Sequence, residues 1–260
     1  DKSREVIFMS IKFSGNRFVI ETENTSYVIL LRDATFMGTT ETVTAVCNGY
    51  WGEKVLNPEE IPDDYHVISG SDSYLERELN CQEYPFFGGK YYENECLKVK
   101  LGDGVRDLRL SYKSHKISDD GYQLTITLKD IYYPIEVDLN YKIYEGLDLI
   151  DRNSTIRNLG DDSVLLETMY SANWVCPYGR DLTLTYMTSA WGTEYNIEKQ
   201  PLNQSPVLLE SRAGVSNATA FPYFAVDKNA TEDSGEVWFG SLQYSGNWQI
   251  KAGRDRNANP

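Results

Sequence analysis

Period-two alternation recurs along the middle of this chain and limits what it can fold into. In "PIEVDLNYKIY", Ile135, Val137, Leu139, Tyr141 and Ile143 share one face, and Glu136, Asp138, Asn140 and Lys142 share the other. Successive strand side chains point to opposite faces, so this segment reads as a half-buried antiparallel strand. "QLTITLKD" repeats the pattern with Leu124, Ile126 and Leu128, and "DLRLSY", "DLTLTYM" and "VLLETMY" continue it. Polar turn signals separate such runs: Asp119-Asp120-Gly121, Asn158-Leu159-Gly160-Asp161 and Tyr178-Gly179-Arg180. No segment keeps a helical period for three turns. The expected fold class is all-β, a large antiparallel β-sandwich with short helical turns only in loops.

The 260 residues suffice for one large all-β domain or two small ones, and 41% apolar content allows a sizeable core. Lys plus Arg number 25 against 39 Asp plus Glu, a formal net charge of −14. There is no dense basic stripe, so neither nucleic acid nor an anionic membrane is an expected partner. No apolar run reaches the roughly 18–20 residues of a spanning helix. The opening "DKSREVIFMSIKF" lacks a signal-peptide apolar region, and Met9 is a candidate natural start. A cytoplasmic location is the expectation.

Cys47, Cys81, Cys96 and Cys176 form no CxxC pair, and only two histidines are present. A zinc site is not expected, and the thiols read as reduced and mostly buried. Five N-x-S/T sequons occur, at Asn24, Asn153, Asn203, Asn217 and Asn229. They would matter only in a secreted eukaryotic protein.

Residues 48–95 are the least regular stretch, with Pro58, Pro62 and Pro85 among many aromatics. A loop that long is usually either functional or disordered, and its aromatic content argues against disorder. The acidic pairs Asp119-Asp120 and Asp161-Asp162 read as turn caps, whereas Asp63-Asp64 lies in the aromatic-rich stretch. His115 reads as a hydrogen-bonded packing residue. No GxSxG nucleophile turn, GxGxxG or P-loop is present. Tryptophan remains as a chemical signal, because flat rings stack on the apolar faces of sugars. Trp51, Trp174, Trp191, Trp238 and Trp248 are the candidates, with core packing as the ordinary use of each. Trp191 stands out because Ala190 and Gly192 flank it and leave its ring open.

Ten stretches, in order, resemble one family: "TSYVI", "YWGEKV", "QEYPFFGG", "LRLSYKSHKI", "LTITLKD", "VDLNYKIYEGLDLIDRNSTIRNLG", "AWGTE", "LESRAGVSN", "FPYFAV" and "GSLQYSGNW". The chain is similar to the N-terminal domain of family 36 glycoside hydrolases, the bacterial-type α-galactosidases. The resemblance implies a β-supersandwich over residues 1–260, placed ahead of a (β/α)8 barrel that carries an aspartate nucleophile and an aspartate acid/base. It implies retaining hydrolysis of terminal α-linked galactose from melibiose and raffinose-type sugars. The family's Lys-Trp-Asp nucleophile stretch is absent here, and the sandwich looks cut short after "SGNWQIKAG". The chain is therefore expected to be a non-catalytic fragment, inactive alone.

The resemblance further implies a homo-oligomer, a tetramer in the family, with loops from a neighbour's sandwich approaching the barrel. The tryptophan of the family's "AW-x-x-E" stretch matches Trp191 and would touch the substrate. Asp63 or Asp64 would fill the place of an outer-site acid, whereas Ser73 stands where the family has an arginine. Lys90-Tyr91-Tyr92 replaces the family's Asp-(Phe/Tyr)-Arg. "SLQYSGNW" matches a turn between two strands, which makes Trp248 a packing residue. Candidate substrate-binding residues are thus Trp191, Asp63, Asp64 and Trp51. No residue is a candidate catalytic group, and no metal or cofactor is implied. The alternatives are the N-terminal domain of an α-N-acetylgalactosaminidase, a free-standing carbohydrate-binding sandwich, and an assembly domain without sugar contact.

Overall fold

The computed structural model describes residues 9–35, 40–63, 81–88, 95–176, 181–203, 205–215, 217 and 219–254. The chain falls into two compact units, Asp1–Pro177 and Tyr178–Pro260.

Two four-stranded antiparallel sheets build the first unit. One runs β1 (Ser10–Ser14), β2 (Arg17–Glu21), β3 (Thr25–Thr35), β4 (Thr42–Glu53). The other runs β6 (Leu110–Ile117), β7 (Gln123–Asp130), β8 (Ile135–Tyr144), β9 (Leu147–Asn158). Between them in sequence, β5 (Leu97–Lys100) pairs with β10 (Leu165–Met169). Every strand of the two larger sheets lies beside its sequence neighbour, as short turns favour. At the β8–β9 hairpin Tyr144 pairs with Leu147, leaving Glu145-Gly146 as the loop, and Gly146 takes φ +70°. That left-handed backbone costs a residue with a Cβ about 1–2 kcal/mol, and glycine nothing.

Register turns alternation into one apolar face. Leu124 pairs with Tyr141, Ile126 with Leu139 and Leu128 with Val137, and all six are buried. Phe18, Ile20, Tyr27 and Ile29 of the first sheet join the same core. Each fully buried side chain of this kind stabilises by about 1.5–3 kcal/mol. On β3 the opposite face is covered as well: Val28 and Leu30 are fully buried. That double burial explains why "YVILL" reads as a continuous apolar run without clean alternation.

The second unit has a four-stranded antiparallel sheet, β12 (Thr193–Pro201), β11 (Thr183–Ala190), β14 (Ala220–Asp227), β15 (Val237–Ser241). Beside it stands the pair β13 (Val207–Ser211) and β16 (Trp248–Ala252). Leu209, Ala220 and Trp248 form its buried cluster, with Tyr186, Val207, Leu242 and Ile250 packed around. The "SLQYSGNW" turn carries the chain from β15 in one sheet to β16 in the other, and Trp248 is a core residue as expected.

The all-β reading holds, and the only helical element among the described residues is a 3₁₀ turn at Pro58–Glu60. Two local expectations change. Residues 48–53 continue β4, so the irregular stretch begins later than its composition suggests. Within that stretch Tyr84 and Phe86 are buried core side chains, which accounts for part of its aromatic content by packing. The "VLLETMY" strand exposes Leu165, Leu166 and Met169. A register shift between Leu166 and Thr168 breaks its alternation, and a two-stranded pair covers only one edge.

Candidate functional site

Three of the four candidate substrate-binding residues lie among the described residues, and they occupy different surroundings. Asp64 lies outside the described residues.

Trp191 is at the tip of the β11–β12 hairpin. Ala190 pairs with Thr193, so Trp191-Gly192 is a two-residue loop, and Gly192 takes φ +79°. The Glu194 carboxylate accepts the Gly192 N–H at 3.2 Å, and the Asn196 side-chain amide donates to the Thr193 carbonyl at 2.6 Å. These bonds brace the loop from the same strand. Trp191 itself is 101% exposed, an indole wholly in solvent. Tyr195 follows with φ +63°, a left-handed backbone rare for a bulky residue, and its ring stacks on Phe221 at 4.3 Å. Strain of this kind, about 1–3 kcal/mol, collects at functional sites. A braced, strained hairpin that presents a bare indole is a platform for a flat apolar ligand face.

Asp63 belongs to the first unit and is held from three sides. Its carboxylate accepts Arg17 Nη2 at 2.5 Å and the Asn16 side-chain amide at 3.1 Å. Its backbone carbonyl accepts from the Arg32 guanidinium. The side chain is still 56% exposed. Arg17 opens β2 and Asn16 precedes it in the β1–β2 turn, so strand register places both donors. A carboxylate offers about four lone-pair sites, and the two bonds described use two of them. What remains is an oriented, solvent-facing acceptor suited to hydroxyl donors.

Trp51 lies on β4, paired with Tyr27. Its ring packs against Trp174 at 5.0 Å and against Tyr27 at 6.2 Å. This half-buried tryptophan belongs to an aromatic cluster built around a buried ion pair, which the sequence reading missed. Glu83 and Arg152 meet at 2.7 Å with side chains 0% and 3% exposed. Glu83 also accepts Tyr27 Oη at 2.6 Å, Tyr141 Oη at 2.7 Å and the Asn48 amide at 3.2 Å. Arg152 lies over the rings of Trp174 (4.5 Å) and Tyr141 (4.9 Å), and donates to the Asn173 carbonyl at 2.5 Å. Burial opposes the guanidinium charge most strongly of any single influence, but Glu83 together with the neighbouring Tyr141, Tyr27 and Cys96 outweighs it and raises the Arg152 pKa. Burial also drives the Tyr27 and Tyr141 phenols well above their ordinary value, with Arg152 pulling against it. Both tyrosines therefore stay neutral donors, and the cluster is a structural clamp.

The remaining titratable groups have structural uses. Tyr112 Oη is 2.7 Å from His115 Nδ1, and the imidazole packs on Phe13 at 4.5 Å and Phe18 at 4.9 Å. Asp120 caps its turn by accepting Ser118 Oγ and the Tyr122 N–H, which lowers its pKa. The four cysteines are thiols, with Cys47 and Cys96 buried and Cys81 and Cys176 partly so. Burial pushes Cys47 and Cys96 each up to about 12. No cluster of three potential metal ligands occurs among the described residues.

Comparison with known proteins bears on the family and the fold. Residues 44–259 match the family model of the Glycosyl hydrolase family 36 N-terminal domain. The chain is 31% identical over 196 residues to alpha-galactosidase AgaA of Geobacillus stearothermophilus, covering 68% of this chain and 27% of AgaA. The crystal structure of GH36 alpha-galactosidase AgaB from the same organism superimposes with a TM-score of 0.82 at 26% identity, over 96% of this chain and 36% of AgaB. An AgaA variant in complex with raffinose superimposes with a TM-score of 0.76 at 26% identity, over 93% of this chain and 36% of that one. The chain thus spans about a third of the length of the relatives it matches.

Proposed function

Since the chain belongs to the glycoside hydrolase family 36 N-terminal domains, we propose that it is the non-catalytic front domain of a retaining α-galactosidase. The observation that carries this reading is the extent of the match, which covers residues 44–259 in sequence and 96% of the chain in fold. In this reading the domain works beside a catalytic barrel that supplies two carboxylates, separated by about 5–5.5 Å as retention requires. The substrates are terminal α-galactosides such as melibiose and raffinose. A raffinose complex of one relative and a stachyose complex of another variant of it support that class. The domain's share of the work is to support oligomer assembly and to line the substrate site. Trp191 offers a bare ring for an apolar sugar face, and Asp63 offers an oriented acceptor for sugar hydroxyls.

The test is to assay the full-length protein with melibiose, raffinose and an N-acetylgalactosaminide. Galactose release from the first two, with α-galactose as the first-formed anomer, is the expected outcome. Preference for the N-acetylated substrate, or absence of hydrolysis, would overturn the reading. Calorimetric titration of residues 1–260 with the same sugars separates a free-standing binding module, which would give heat where the front domain alone gives little.

A further inference from the structure

We infer that Arg17 is a positioning residue, which fixes the segment Pro58–Asp63 and thereby orients the Asp63 carboxylate toward the hydroxyls of an α-galactoside. This rests on the proposed function, in which Asp63 meets substrate.

The geometry is a many-sided latch. Arg17 begins β2, paired with Ser14 of β1 and Leu30 of β3, so its backbone is fixed from both sides. Its Nη1 lies 3.2 Å from the Pro58 carbonyl, 2.8 Å from that of Glu59 and 2.9 Å from that of Ile61. Its Nη2 lies 2.5 Å from Asp63 Oδ1. Carbonyls at the end of a short 3₁₀ turn have few backbone donors, and a nearby cation satisfies them. Only a guanidinium reaches three carbonyls and a carboxylate from one fixed fork, and a lysine ammonium has neither the reach nor the planarity. The side chain is 11% exposed, so water does not compete well for these acceptors.

Neighbouring contacts point the same way. Asn16 donates to the other carboxylate oxygen, and the Asn16 carbonyl accepts the Leu31 N–H at 2.7 Å, tying the turn to β3. Arg32, also on β3, reaches the Asp63 carbonyl. Two strands and the β1–β2 turn thus converge on one aspartate whose outer face is left in solvent. These bonds fix the acid's main chain and both its oxygens while more than half the side chain stays open to a ligand.

The test uses the full-length protein with Arg17→Met, Arg17→Lys, Asp63→Asn and the Arg17→Met/Asp63→Asn double variant. Expected for Arg17→Met is a KM for raffinose raised on the order of tenfold, with kcat changed less than about twofold. Arg17→Lys should recover part of that loss. The double variant should be little worse than Asp63→Asn alone, because both remove one contact. Hydrogen exchange of the Pro58–Asp63 amides should quicken in Arg17→Met. A raffinose KM within about twofold of wild type, or losses that add fully in the double variant, would overturn the inference. If wild type does not hydrolyse α-galactosides at all, the proposed function fails instead. Exchange then decides the latch alone: faster exchange upholds it and unchanged exchange overturns it.

Discussion

Replacing Arg152 by methionine is the sharpest probe of what holds the first unit together. The change keeps a long apolar stem and removes the guanidinium. Glu83 would then keep three neutral donors, Tyr27, Tyr141 and Asn48, and lose its only counter-charge among the described contacts. Breaking a buried pair from one side costs about 3–5 kcal/mol, because a charge is left without compensation. A domain's whole stability is roughly 5–15 kcal/mol, so at least about a fifth of this unit's margin is at stake. For a unit of this size each kcal/mol lowers Tm by about 2–4 °C, which gives an expected drop of roughly 6–20 °C. Calorimetry reads the drop, and hydrogen exchange along β8 (Ile135–Tyr144) assigns it to this unit. Arg152→Met/Glu83→Gln should be less destabilised than Arg152→Met alone, since it leaves no buried charge. A Tm within about 2 °C of wild type, or a double variant as bad as the two single losses combined, would refute the argument.

Further outcomes follow from the other sites. Trp191→Ala in the full-length protein should lower kcat/KM on raffinose roughly two- to tenfold, the loss of one stacking contact, and leave Tm unchanged because the ring packs on nothing. Acid should loosen the β6–β9 sheet: the hydrogen bond from Lys113 holds Glu136 low, and Arg157 and Thr127 outweigh burial to hold Asp138 low. Depressed carboxylates contribute stability above their ordinary range, near pH 4, and lose it as pH falls through the lower folded values. Exchange in this sheet should therefore change little from pH 7 to 5 and rise below about pH 4; a rise already at pH 6 would contradict this. Cys47 and Cys96, pushed up to about 12 by burial, should resist alkylation at pH 8 in the native protein, as read by peptide mass spectrometry. Modification as fast as in the unfolded chain would contradict that.

The sandwich was legible because its strands obey one local rule. On β7 and β8 every second residue is apolar, and register then carries that face into the core. The Glu83–Arg152 clamp left only a faint trace. Arg152 falls between Ile150 and Ser154 on the inward face of β9, a charge at a position where the pattern asks for an apolar side chain. Its partner is 69 residues away, on a segment with no periodicity, and alternation carries no information about such a meeting. The Arg17–Asp63 latch spans 46 residues and was invisible for the same reason. Trp191 was found because its evidence is local: small neighbours on both sides of an indole and a glycine for the turn. Trp51 shares the same chemistry but is packed on Trp174, and only the fold separates the two tryptophans.

The central claim is that this domain serves an α-galactosidase without catalysing anything itself. Galactose released from raffinose, measured side by side for the full-length protein and for residues 1–260 at equal molar concentration, tests it most directly. The account predicts steady release by the full-length protein and none by the domain. Release by the domain alone, or none by the full-length protein, would contradict it.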